Sequence, residues 1–161
     1  MQHVAQERCE YKTSRGIPRK KVSPRLGSTQ ADYEALCAEW AVGALLGGDP
    51  DLSHFSGKDD GTDIVIPQLS VQVKLNHYED GDLYLNEGEE FKADVAVLVI
   101  PDGKYLRMAG WIDRDTFEAS ARTTDYGYGP RKYVAQTSLF GMNTLMRRLL
   151  NDDTHRIQKA A

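Results

Sequence analysis

A chain of 161 residues, 40% apolar and 27% charged, suits one globular domain with a core large enough to fold without staples. It has no apolar run of about 18 residues, which excludes a transmembrane helix, and its two cysteines, Cys9 and Cys37, lack metal-ligand spacing and fit free thiols in a reducing compartment. The net charge of −4 divides unevenly, +5 in residues 1–29 and −9 in the rest, as in a basic arm that holds a polyanion beside an acidic body that attracts metal ions; a solvated leader has the same composition.

Residues 1–28 are expected to form a mostly irregular arm, with Gly16, Pro18, Pro24 and Gly27 set among the cations Arg15, Arg19, Lys20, Lys21 and Arg25. The basic N-terminus has no apolar segment, so the expected location is cytoplasmic. A domain over 29–150 and a polar, frayed tail over 151–161 complete the expected organisation. Ser28 and Thr29 are candidate caps for a helix over Gln30 to Leu46, stopped by Gly47-Gly48 and Pro50. At about 100° per residue, Ala35, Leu36, Trp40, Val42, Gly43 and Leu46 share one broad face. Glu39 falls inside that arc, where a carboxylate calls for a cation partner or a raised pKa. Glu34 lies about 140° from Glu39, on the side with Ala38 and Ala41, so only one of the two can face a given site.

The loop 48–61 is rich in Asp and contains a literal Pro50-Asp51. Two short strands follow, Thr62 to Pro67 and Ser70 to Leu75, broken at Pro67-Gln68. The pleat sends Gln72 and Lys74 to one face and Val71 and Val73 to the other. A lysine flanked by valines is the anomaly of this stretch, and Asp63 stands beside it at the mouth of the preceding strand. A charged segment with a short strand near Leu83 to Leu85 comes next. ADVAVLVI, residues 93–100, has the composition of a strand covered on both faces. Pro101-Asp102-Gly103 is a turn into a paired strand, Lys104 to Ile112. A short helix capped by Asp113 runs to Ala121. The loop DYGYGPRKY follows, in which Tyr128, Arg131 and Lys132 interleave aromatics with cations, a pattern for base stacking and phosphate contact as well as for a glycine-hinged surface loop. Val134 belongs to a last strand, and Ser138 to Leu150 is a helix with the stripe Leu139, Met142, Leu145, Met146 and Leu149.

An acid on one strand followed by acid-x-Lys on the next resembles the PD-(D/E)xK nuclease superfamily, with the second motif written here as Gln72-Val73-Lys74. The string AEWAVGALLG also resembles the first core helix of that superfamily, whose Glu reaches the metal site. The resemblance implies an α/β fold of the restriction-endonuclease-like kind, an αβββαβ core with a mixed central sheet flanked by helices, over roughly residues 30–136. It implies a Mg²⁺-dependent DNA endonuclease, with Mn²⁺ as a substitute metal, acting on DNA in a bacterial or phage-infected cell. Asp63, Glu39 and the Val73 carbonyl are then the metal ligands, and Glu39, Asp63, Gln72 and Lys74 the catalytic set, with Asp63 preferred to Asp51 because the ligand must stand beside the Lys strand. Lys74 would orient or deprotonate the attacking water. Arg15, Arg19, Lys20, Lys21, Arg25, Tyr128, Arg131 and Lys132 would form a DNA-facing rim. Homodimers are frequent in the superfamily. Gln72 removes one formal charge from the pattern, and the alternative is a catalytically silent protein of nuclease fold that binds nucleic acid or a host protein, in a phage accessory or anti-defence role.

Overall fold

Val95 to Ile100 are all apolar and all buried, and they form the middle of the molecule. A computed structural model describes His3, Gln6 and residues 28–50, 61–125, 127 and 129–160, with 28 and 152–160 by their backbone alone. In chain order the principal elements are α1 (Ser28–Leu46), β1 (Ile64–Ile66), β2 (Leu69–Leu75), β3 (Leu83–Leu85), β4 (Val95–Asp102), β5 (Tyr105–Asp113), α2 (Arg114–Ser120), β6 (Arg122–Thr124), β7 (Arg131–Val134) and α3 (Met142–Ala160). The chain is mixed α/β. A four-stranded sheet has the order β1-β2-β4-β5, and a three-stranded sheet has the order β3-β7-β6. Among the described residues no helix is long and apolar enough to cross a membrane.

Strand β2 pairs antiparallel with β1 and parallel with β4, and β4 pairs antiparallel with β5, so the main sheet is mixed. Period-two alternation then sorts side chains onto its two faces. Ile64, Ile66, Leu69, Val71, Val95, Val97 and Val99 join Ala38 and Val42 of α1 and Leu145 and Leu149 of α3 in one apolar cluster. Ala96, Leu98, Ile100 and Ile112 join Leu83, Leu85, Phe91, Phe117 and Val134 in the other. Strand β4 is therefore covered on both sides, which is why its sequence shows no alternation.

Several local expectations hold for readable reasons. Gly48 N donates to Gly43 O at 3.0 Å and Gly47 takes φ +75, which makes a Schellman stop for α1. Asp113 caps α2, accepting from Thr116 N at 2.9 Å. A contact that the sequence does not announce clamps the start of the parallel pair: Asp94 Oδ2 accepts from Ser70 N at 2.7 Å and Ser70 Oγ at 2.8 Å, and Asp94 N donates to Ser70 Oγ at 3.0 Å.

Other features differ. Trp40, placed by periodicity on the buried face of α1, is 40% exposed, while Ala38 is fully buried. The helix is apolar around most of its circumference, and it docks on the side where a small residue allows the closest approach to the sheet. Val134 is in a strand as expected, but β7 pairs with β3 and β6 and does not extend the main sheet. The last helix starts at Met142, after Phe140 forms an antiparallel bridge to Trp111, and it continues through residues 151–160, expected as a frayed tail.

Candidate active site

The hairpin of β1 and β2 turns at Pro67-Gln68 with the register Ile64↔Val71 and Ile66↔Leu69. Strand β1 is only 3 residues long and β2 is 7, so the far half of β2 extends beyond its partner. Asp63 continues the ladder there: its N–H donates to Val71 O at 2.9 Å, and its carboxylate Oδ2 accepts from Val73 N at 2.6 Å. A carboxylate thus takes the place of a strand partner at the residue between Gln72 and Lys74. A strand residue's N–H and C=O point to the same side, so the Val73 carbonyl leaves β2 on the side of Asp63. Gly61, at φ +76, turns the chain into this position; a methyl group on it would lie 3.7 Å from Gln72 Nε2.

Gln72 and Lys74 lie opposite Ala96 and Leu98 in the parallel register, on the face of the second core cluster. Gln72 is 4% exposed, and the side chain of Lys74 is 17% exposed. A mostly buried ammonium requires a counter-charge, and Glu89 supplies it by a short ion pair from Oε1 to Lys74 Nζ. Gln72 Nε2 donates to the same Oε1 at 3.2 Å. The second oxygen, Oε2, accepts from Asn86 N at 3.1 Å and Asn86 Nδ2 at 2.9 Å. Glu89 is held in place by a turn, with its N–H donating to Asn86 O at 3.0 Å and Gly88 at φ +72, the φ that a type II turn demands of its third residue. Beyond that turn Phe91 and Ala93 enter the second core cluster, so the whole crossover from β2 to β4 is drawn across this face. Gln72 Oε1 is buried and accepts no hydrogen bond among the described residues.

The other expected site residues divide into three groups. Glu39 is 6% exposed, in keeping with its predicted place on a buried face. It belongs to the turns of α1 whose Ala38 and Val42 pack on the first cluster, whereas Gln72 and Lys74 face the second. Glu34 accepts from Gln30 Nε2 at 2.7 Å and lies 3.4 Å from His77 Nδ1, just past the end of β2. Among the described residues, no three His, Cys, Asp or Glu side chains gather closely enough to hold a metal ion. Arg131 and Lys132 fall within β7 and not in a loop, and Lys132 Nζ is paired with Glu118 Oε2 at 2.7 Å. Arg15, Arg19, Lys20, Lys21, Arg25, Asp51 and Tyr128 lie outside the described residues.

Two carboxyls near this sheet sit below the usual carboxylate range. Asp94 is lowered chiefly by the backbone N–H of Ser70, with its hydroxyl second. For Asp113 burial pushes upward, but the Thr116 N–H and hydroxyl together outweigh it. Both are structural clamps at strand and helix starts.

The sequence alone does not single out Glu89 as a site residue. The segment that carries it, EDGDLYLNEGEE, reads as a charged hairpin loop with a short strand near Leu83 to Leu85. A signal was present in part, because a lysine in an apolar strand must find an acid, but the sequence offers several acids in that loop and does not rank them.

No known family model matches this chain, and no curated protein matches it in sequence.

Proposed function

We propose that the chain is a metal-dependent DNA endonuclease with its centre at Asp63, Gln72, Val73 and Lys74, on a restriction-endonuclease-like core. The observation that carries this reading is the contact of the Asp63 carboxylate with β2 at Val73, between the two side chains of Gln-x-Lys. Mg²⁺ asks for hard oxygens and completes its octahedron with waters and phosphate, so one or two carboxylates suffice. The donor set fits this requirement: the Asp63 carboxylate, the Val73 carbonyl on the same side of β2, and the buried Gln72 Oε1, whose position calls for a partner. These residues would hold the ion, and the ion would stabilise the charge that develops on the phosphate.

The chain's own residues do the rest. Lys74, positioned by Glu89, offers an ammonium that orients a water and offsets negative charge on a phosphodiester oxygen. Asp63 fixes the edge of β2 and so the height at which Lys74 leaves the strand. The arm cations and the β7 region supply sequence-independent phosphate contacts.

The test is incubation of the full chain with plasmid, single-stranded and branched DNA in Mg²⁺ or Mn²⁺. Cleavage is expected, with a loss of roughly 100-fold or more in Asp63→Ala and Lys74→Ala. Absence of cleavage, or its persistence in both variants, overturns the reading. A second reading draws on Lys74 being held in an ion pair, as a structural lysine would be: a nuclease-fold module that binds DNA without cutting it. It is favoured if salt-dependent binding is found, unaltered by metal and lost on removal of residues 1–27, with no cleavage.

A further inference from the structure

We propose that Glu89 supplies, from the crossover loop, the carboxylate that β2 lacks at Gln72, and that it is the positioning residue for Lys74. The inference rests on the nuclease reading for its catalytic meaning, and on side-chain geometry alone for the pairing.

Three observations converge. One carboxylate oxygen, Oε1, meets both side chains of the Gln-x-Lys pair, the Lys74 ammonium and the Gln72 amide. The other, Oε2, is fixed by two donors of Asn86, at 3.1 and 2.9 Å, so the carboxylate cannot turn away. The loop that carries it is pinned on both sides, by Leu83 and Leu85 of β3 before it and by Phe91 and Ala93 after it, all buried. Such an arrangement holds an ammonium at a set point as a neighbouring strand acid would.

The identity of residue 72 follows from the same geometry. A carboxylate at 72 would bring a second negative oxygen to about 3 Å from Glu89 Oε1, and like charges so close cannot both stay ionised. Gln keeps the shape and replaces repulsion with a donated hydrogen bond. With Nε2 committed to the anion, the amide presents Oε1 elsewhere, and that atom is the buried acceptor with no partner among the described residues. Gln72 and Glu89 thus form a matched pair in which one carboxylate is shared between the two positions.

This pairing predicts an exchange. Glu89→Gln removes the charge and should lower the cleavage rate constant roughly 10- to 100-fold while leaving the affinity for DNA within a few-fold. Gln72→Glu alone places two acids on one lysine and should be less stable than wild type. The exchanged variant Q72E/E89Q should recover cleavage to within a few-fold of wild type, which a purely structural Glu89 would not allow. Asn86→Ala, which loosens Oε2, should give a smaller loss in the same direction. Equal cleavage by Glu89→Gln and wild type, or no recovery in the exchanged variant, overturns the proposal.

A second readout separates its failure from that of the nuclease reading. The Lys74 ammonium should give a ¹H–¹⁵N signal slowed in exchange by its ion pair, in wild type and in Q72E/E89Q, and lost in Glu89→Gln. If wild type cuts no DNA, the nuclease reading fails and this signal alone decides the pairing; a signal unchanged in Glu89→Gln refutes it.

Discussion

On one face of the main sheet Leu69, Val71 and Val73 meet the helices α1 and α3 through apolar contacts, whereas on the other face the same strand sets Gln72 and Lys74 beneath a loop that answers each with a hydrogen bond. The residues alternate along a single stretch of β2, so backbone, strand length and pairing are common to both. What differs is the cover. Helices bring side-chain volume and satisfy their own backbone, and the face beneath them is specified by shape. The crossover loop brings a fixed carboxylate, and the corner beneath it is specified by charge. The apolar face should therefore fail by losing contacts, and the polar corner by leaving a group without its partner.

The largest effect should come from the apolar side. Leu145 of α3 is fully buried in the first cluster, and Leu145→Ala should cost about 2–5 kcal/mol through lost transfer energy and the cavity left behind. Urea unfolding measures it, and a cost below about 1 kcal/mol would show that α3 contributes little to that face.

The polar corner should give the next effect, with a different signature. Glu89→Leu removes the acceptor from both Lys74 and Gln72 in a mostly buried site and should cost about 1–3 kcal/mol. Adding Lys74→Met removes the stranded cation, so the double variant should be more stable than the sum of the two single changes predicts. Strict additivity in that cycle would mean that the two charges do not interact.

The smallest effect is expected where the two faces begin, at the Ser70–Asp94 clamp. Asp94 is held below its ordinary value by the Ser70 N–H and hydroxyl, so the clamp stabilises the fold above the unfolded value near ~3.9 and loses that contribution as pH falls through the folded value. Ser70→Ala removes the hydroxyl donor and should destabilise by about 0.5–1.5 kcal/mol near neutrality. Its deficit relative to wild type should shrink below about pH 4. A deficit that stays constant between pH 7 and pH 3 would dissociate the clamp from the Asp94 charge.

Much of the scaffold is legible in the chain itself. The apolar run at 95–100 dictates a doubly covered strand, Pro67-Gln68 and Asp102-Gly103 mark the hairpin turns, Gly47-Gly48 stops α1, and Asp113 caps α2, because each rests on interactions between near neighbours. Alternation in 71–74 likewise separates Gln72 and Lys74 from the valines. Periodicity puts Glu39 on a buried face but does not account for the exposure of Trp40, since a helix that is apolar nearly all round has no single preferred side until something packs on it.

The pairing of β7 with β3 and β6, the docking of Asp63 on Val73 and the choice of Glu89 as partner to Lys74 were decided only by the tertiary structure. Each joins segments whose meeting depends on how far β1 runs beside β2 and on which face the crossover takes. A sequence fixes which side chains need partners, through the cost of burying an amide or an ammonium alone. Which of several acids in one loop meets that need depends on where Phe91 and Ala93 pin the loop to the core, and that is a property of the packed fold.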